Sequence, residues 1–303
     1  MSVIDFHLHL FARPFFDALA AQSPQPGSVE EKLARASAKA GFELPTPDLA
    51  AHVARWSAEF ERHQVEHACA FASVPEEIAA LAEAAVLARG KITPFAVVNP
   101  LVEGVAERVG GLLATKGFRG VLLFPALHGY SIDDARCAPL LAVLNAERAI
   151  AYVHCGLLVV KLRDLLGLPR SADPRRANPL DLIPVANANP DARFVIPHFG
   201  AGFFRETLLA GAQCSNVFVD TSSSNSWIAT QPATLTLRDV FERTLGVFGA
   251  QRVLFGTDSN TFPRGWRDDR LHEQREILVS LGVSTAEREL VFAGNARRLL
   301  AAR

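Results

Sequence analysis

The sequence predicts an α/β fold, and a repeated beat, a size and a missing motif point to which one. Short apolar runs recur along the 303 residues at Val3-Leu10, Glu66-Ser73, Ile92-Asn99, Arg119-Pro125, Ile150-Cys155, Phe194-His198, Val217-Thr221 and Val253-Thr257, with Ala/Leu/Glu/Arg-rich amphipathic segments between them. Strands that alternate with helices pair in parallel, because each crossover returns the chain to the same end of the sheet. Eight such units in a chain of roughly 250 residues or somewhat more fill a closed (β/α)8 TIM barrel. A doubly wound open sheet is disfavoured, since no Gly-x-Gly-x-x-Gly turn follows the first strand. No internal repeat, low-complexity tract or linker divides the chain, so residues 1–303 read as one domain.

The first strand carries His7 and His9 in Val3-Ile4-Asp5-Phe6-His7-Leu8-His9-Leu10-Phe11. Residues i and i+2 of a strand share a side, so both imidazoles are expected to face one way and Ile4, Phe6, Leu8 and Leu10 the other. Phe11 to Pro47 is too long for a turn. Within it, Ser28-Val29-Glu30-Glu31 is a capping box opening a short helix that Gly41 can end. Thr46-Pro47-Asp48 is expected to start the first barrel helix, with Thr46 as cap and Pro47 at its first position. Strand four, Gly120-Val121-Leu122-Leu123-Phe124-Pro125, offers only apolar side chains. A second long loop, Leu157 to Pro179, follows strand five and holds Arg163, Arg170, Arg175 and Arg176. Both long loops leave the C-terminal ends of strands, where barrel enzymes build their sites, so both are candidate lids or subunit contacts in a homo-oligomer, most simply a dimer.

Composition limits the function. A chain that is 49% hydrophobic can bury a large core, and it has no apolar stretch of membrane-spanning length. The strand-like run begins at Val3 with no basic segment and apolar leader before it, so a soluble protein without a signal peptide is expected. A net charge of -1 and no Lys/Arg block beyond Arg175-Arg176 and Arg297-Arg298 argue against a nucleic-acid or anionic-membrane partner and for a small-molecule substrate. Cys69, Cys137, Cys155 and Cys214 show no Cys-x-x-Cys spacing, which excludes a disulfide framework and makes a cytoplasmic location the expectation.

Two histidines on one strand make half of a zinc-type site. Strand five ends Val153-His154-Cys155-Gly156, strand six ends Pro197-His198-Phe199-Gly200, and strand eight ends Gly256-Thr257-Asp258-Ser259. The C-terminal ends of strands one, five, six and eight of a closed barrel converge on one pocket, which brings His7, His9, His154, His198 and Asp258 within reach of a single ion. Polar residues at the ends of apolar strands are hard to explain as packing. His52, His63 and His272 fall on predicted helices and are read as solvated. His128 and Tyr130, after strand four, are read as lying behind the pocket or at the surface.

This set resembles the amidohydrolase superfamily, in the amidohydrolase-related branch that includes aminocarboxymuconate-semialdehyde decarboxylase, resorcylate-type decarboxylases and several uncharacterised hydrolases. The resemblance runs from Asp5-Phe6-His7-Leu8-His9 through His154-Cys155-Gly156 and His198-Phe199-Gly200 to Phe255-Gly256-Thr257-Asp258, with Gly294-Asn295-Ala296 starting a closing helix. It implies that His7, His9, His154 and Asp258 bind one divalent ion, zinc or alternatively manganese, and that His198 stands beside it as a substrate-polarising or acid/base residue. The branch's aspartate-proline ending is absent, because Ser259-Asn260 follows Asp258.

The apolar strand four lacks the carbamylated lysine or glutamate that bridges two ions in dinuclear relatives, so a mononuclear site is expected. Its chemistry is a metal-activated water deprotonated with help from Asp258, acting on a substrate oxygen polarised by the metal and His198. Such a site suits a hydrolase of a small, carboxylated or cyclic substrate. A non-oxidative decarboxylase of an aromatic or dienoic acid is the second reading, and a barrel that binds without turnover is a third, weaker one. Arg13, Trp227, Arg264, Trp266 and Arg267, together with Ser222-Ser223-Ser224-Asn225, are the candidate substrate contacts, the arginines for a carboxylate and Trp266 for a flat ring.

Overall fold

The computed structural model describes residues 2–222 and 225–302. Eight parallel strands run in sequence order, β1 (Val3–Leu8), β2 (Val65–Phe71), β3 (Ile92–Val98), β4 (Gly120–Leu123), β5 (Ile150–Val153), β6 (Arg193–Ile196), β7 (Val217–Asp220) and β8 (Val253–Leu254). β8 is short, yet the chain around it closes the barrel on β1: Phe6 N–H donates to Phe255 O at 2.8 Å and Asp258 N–H to His7 O at 2.9 Å. The strands are buried almost throughout, as a sheet covered on both faces by packed side chains requires.

The helices are α1 (Arg13–Gln22), α2 (Val29–Ala40), α3 (Leu49–Arg62), α4 (Ile78–Leu87), α5 (Val105–Thr115), α6 (Pro125–His128), α7 (Ala138–Ala146), α8 (Lys161–Leu165), α9 (Leu182–Ala188), α10 (Phe204–Gln213), α11 (Leu237–Phe248), α12 (Asp268–Ser280), α13 (Thr285–Glu289) and α14 (Asn295–Ala301). α3, α4, α5, α7, α9, α10 and α11 are the crossovers, and α12 follows β8. The two long loops form one cap: Phe15, Phe16 and Leu19 of α1 and Leu33 of α2 share a separate apolar cluster with Leu162, Leu166 and Leu168 of the loop after β5. Ser23 Oγ donates to Leu166 O at 2.6 Å across that contact. Among the described residues no helix is long and apolar enough to cross a membrane.

Two local expectations are corrected. Ser28 and Gly41 do cap α2, but α3 is capped by Asp48, whose Oδ1 accepts from Ala50 N at 2.9 Å and Ala51 N at 3.2 Å. A carboxylate reaching N–H groups two and three residues ahead outcompetes Thr46, which instead accepts from Asp48 N. The strict alternation of β1 also fails. Asp5 pairs with Ala68 and Leu8 with Ala70, so β1 holds one residue more than β2 between these points. That bulge turns Phe6 and His7 toward the same neighbour, Tyr152, with ring centroids 6.1 and 5.5 Å away. Asp5 is turned the other way, toward Thr257 and Trp266.

Candidate metal centre

The ends of β1 and β8 bring His7, His9 and Asp258 together. His7 Nε2 and His9 Nε2 are 3.3 Å apart, and Asp258 Oδ1 lies 3.9 Å from the first and 3.6 Å from the second. Asp258 sits at φ 56 and His198 at φ 54, left-handed backbone that a non-glycine residue adopts at a cost, as is common where a fold aims a functional side chain. Gly256 makes the approach of the two strands possible: a Cβ there would meet His7 Cβ at 2.7 Å.

Asp220, at the end of β7, decides which nitrogens face this point. It is fully buried and accepts from His7 Nδ1 at 2.7 Å, from the backbone N–H of His198 at 3.0 Å and of Ser222 at 2.8 Å, and from the hydroxyls of Ser222 and Tyr152. Burial works against its charge, but His7 and these donors hold its carboxyl well below the usual range. Since the carboxylate only accepts, His7 carries a proton on Nδ1; burial works against a second proton but Asp220 raises the ring's pKa, and in its neutral form the ring has its lone pair on Nε2. Ser222 Oγ gives its proton to Asp220 and lies 2.7 Å from His198 Nδ1, so His198 donates there and likewise keeps its lone pair on Nε2. Burial lowers the pKa of His198, which stays neutral near pH 7. His9 is held from behind by Ser73 Oγ, 2.9 Å from its Nδ1.

Sequence reasoning missed Asp220, although the signal it used for Asp258 was present: Val217-Phe218-Val219-Asp220 is an apolar run ending in a carboxylate. It also missed two further buried carboxylates. Asp5 accepts from His7 N and Thr257 N, each at 3.0 Å, and from Trp266 Nε1 at 2.8 Å, tying β1 to the loop that carries Asp258. Glu77 accepts from Ala12 N and Ser73 N, each at 2.9 Å, joining the loops after β1 and β2.

His198 and His154 complete the ring of imidazoles, with the His198 ring centroid 4.8 Å from His7 and 5.3 Å from His154. His154 Nδ1 is buried with no hydrogen-bond partner among the described residues. The site fits a divalent ion: Nε2 of His7, Nε2 of His9 and an Asp258 carboxylate oxygen face one another, while the Nδ1 atoms of both rings are bonded away from this point. A single shared proton would satisfy only one pair of these acceptors.

The remaining expected contacts are spread around this centre. Arg264 and Arg267 lie close enough to Asp258 to favour its ionised form, against the burial that raises its pKa. Arg264 is exposed and bonds Asn260 Oδ1 at 2.6 Å, and Arg267 pairs with Asp269 at 2.8 Å. Arg13 lies in α1, paired with Asp17 at 2.7 Å. Trp266 is 2% exposed and spends its indole N–H on Asp5, which makes it a prop for β1 and closes its ring to a ligand. Trp227 is equally buried, against Phe204. Ser223 and Ser224 lie outside the described residues. Phe11, not anticipated, stacks on His9 with centroids 4.9 Å apart.

Two of the three helix histidines, His52 and His63, need correction. His52 is buried and bonds Leu10 O at 2.8 Å, pinning α3 to the end of the first strand, while His63, at the end of α3, is half-buried against Trp266. His272 is exposed. Tyr130 is fully buried and His128 half-buried.

Comparison with solved structures returns the same barrel. The chain resembles 5-carboxyvanillate decarboxylase from Sphingomonas paucimobilis (13% identity, TM-score 0.68, covering 100% of this chain and 99% of that one). It resembles an amidohydrolase from Burkholderia multivorans with bound zinc (20% identity, TM-score 0.65, all of both chains). It also resembles a probable 2-pyrone-4,6-dicarboxylic acid hydrolase from Acinetobacter baumannii with citric acid bound (14% identity, TM-score 0.66, 99% of each). At these identities the likeness establishes the fold. No curated protein matches the chain. The amidohydrolase family model, however, matches residues 4–301, a span that contains both strand-end histidines of β1 and the aspartate after β8, and on that match the chain belongs to the amidohydrolase family.

Proposed function

We propose that the protein is a metal-dependent hydrolase acting on a small, carboxylated or cyclic substrate, with one divalent ion, zinc or alternatively manganese, held by His7, His9, His154 and Asp258. The observation that carries this is the convergence of His7 Nε2, His9 Nε2 and Asp258 Oδ1 within 4 Å, each imidazole held at its other nitrogen. An ion there supplies Lewis acidity and lowers the pKa of water.

The chain's own residues do the rest. His198, neutral and with its Nδ1 proton committed to Ser222, presents Nε2 as a proton acceptor, and after accepting it becomes the donor to a leaving group. Asp258, the carboxylate among the facing ligands, is the second proton acceptor. Arg264 and Arg267 bring positive charge to the Asp258 side, where a substrate carboxylate is drawn. Phe11, stacked on His9, offers a flat apolar wall.

A non-oxidative decarboxylase is the alternative, because the solved structures of the same fold include both 5-carboxyvanillate decarboxylase and a probable dicarboxylic acid hydrolase. Hydrolysis of a panel of lactones and amides is expected, and carbon dioxide release from hydroxybenzoates is the outcome that selects the alternative. His198→Asn is expected to keep its ion and lose at least about a hundredfold in turnover, the scale of a positioned acid/base group. Loss of the ion in this variant together with its retention in His154→Asn reverses the roles given to these two histidines.

A further inference from the structure

The helix ring opens between α4 and α5. α4 packs on α3 and β3, and α5 packs on α7, with a groove of ≈ 1280 Å³ between them that reaches Ile92, Pro94 and Val97 of β3. A helix outside a barrel needs an apolar face only inward, and α4 supplies it with the buried Leu81 and Ala84. α4 is apolar outward as well. Ala79, Ala82 and Val86, spaced three and four apart, line the groove from α4, with Glu83 beside them. Val86 is 77% exposed and, across the groove, Val102 is 48% exposed. Apolar surface of this extent, rimmed by polar groups, marks an interaction site.

The rim charges select the occupant. Glu83 stands on the α4 bank, while Arg108 and Lys116 stand on the α5 bank, all three exposed. A surface with an acid on one bank and bases on the other complements itself after a two-fold rotation. In that arrangement the α4 bank of one copy meets the α5 bank of the other, Glu83 faces Arg108 and Lys116, and Val86 of each copy covers the other's floor. We propose that this groove is the interface of a homodimer, α4 of each copy seated against α5 of its partner. In the long loops after β1 and β5, Phe15, Phe16, Leu19 and Leu33 pack on Leu162, Leu166 and Leu168. The interface also bears on the metal centre, since Pro75 lines the groove two residues after Ser73, the partner of His9.

Sedimentation equilibrium of the whole protein tests this, and a dimer at micromolar concentration is the expected result. Val86→Asp should raise the dimer dissociation constant by roughly thirtyfold or more, the scale of a lost interface anchor, with an unchanged far-ultraviolet dichroism spectrum because the side chain is exposed. Glu83→Arg should weaken the dimer likewise, and adding Arg108→Glu and Lys116→Glu to it should restore association, since the swapped rim is again self-complementary. A monomeric wild type overturns the proposal. So does a dimer that survives Val86→Asp, or a charge swap that restores nothing.

Discussion

The β1 side and the β5 side of the candidate metal centre are built by different means. On the β1 side each imidazole is held at its far nitrogen, His7 by Asp220 and His9 by Ser73, and the facing nitrogens stand 3.3 Å apart. On the β5 side His154 is just as buried, but its Nδ1 has no partner among the described residues, and burial lowers its pKa to about 4. One half is oriented before anything binds. The other packs against Phe124 and His198 with its Nδ1 unheld. The lesson is that a ligand's precision comes from what holds its back, since a hydrogen bond to the remote ring nitrogen fixes both tautomer and rotation.

The largest effect should come from the oriented half. His7→Asn is expected to abolish tight binding, with elemental analysis falling from about one ion per chain to none. His154→Asn is expected to retain an ion held more weakly. Equal losses in the two variants would erase the distinction between the halves, and two tightly held ions in the wild type would remove the mononuclear site altogether.

Asp220→Asn sharpens the comparison by loosening the oriented half without touching a facing atom. An amide cannot accept from all the donors that Asp220 gathers, so His7 loses its fixed tautomer. Metal affinity measured by chelator competition should fall about 10- to 100-fold, the usual effect of removing the partner behind a ligating imidazole. An unchanged affinity would mean that packing alone aims His7.

The smallest effect concerns Glu77, which braces Ser73 behind His9. Burial pushes its carboxyl up from 4.5 to about 8, against the lowering effect of the Ser73 and Ala12 N–H groups. Between these values the folded chain holds a proton that the unfolded chain has released, so stability is expected to fall as pH rises from about 4.5 to about 8 and to level off above. Urea midpoints across this window should show that slope, and Glu77→Gln should flatten it. A variant with the wild-type slope would assign the dependence to another group.

Much of this was legible in order along the chain. Each strand lies within a few residues of its apolar run, and the capping box of α2 formed as its spacing dictates, because these features depend on neighbours in sequence. The strand-end rule singled out His154, His198 and Asp258, and applied to Val217-Phe218-Val219-Asp220 it would have singled out Asp220 too. It could not have told a facing ligand from the residue behind one. Trp266 shows the same limit from the other side: a tryptophan shortly after Asp258 looks like a wall for a flat substrate, and the fold uses it to bond Asp5.

The sequence by itself determined the alternation of strands and helices and the chemistry available at the strand ends, since hydrophobic period and residue type are local quantities. Only the tertiary structure decided which way those side chains face. The bulge that turns Phe6 and His7 toward Tyr152 arises from the register of β1 on β2, set by contacts across some sixty residues. The tautomer of His7 is set by Asp220, more than two hundred residues away, and the groove beside α4 exists because two helices far from the chain ends pack on other neighbours. Such features are sums over long-range contacts, and no window of sequence contains them.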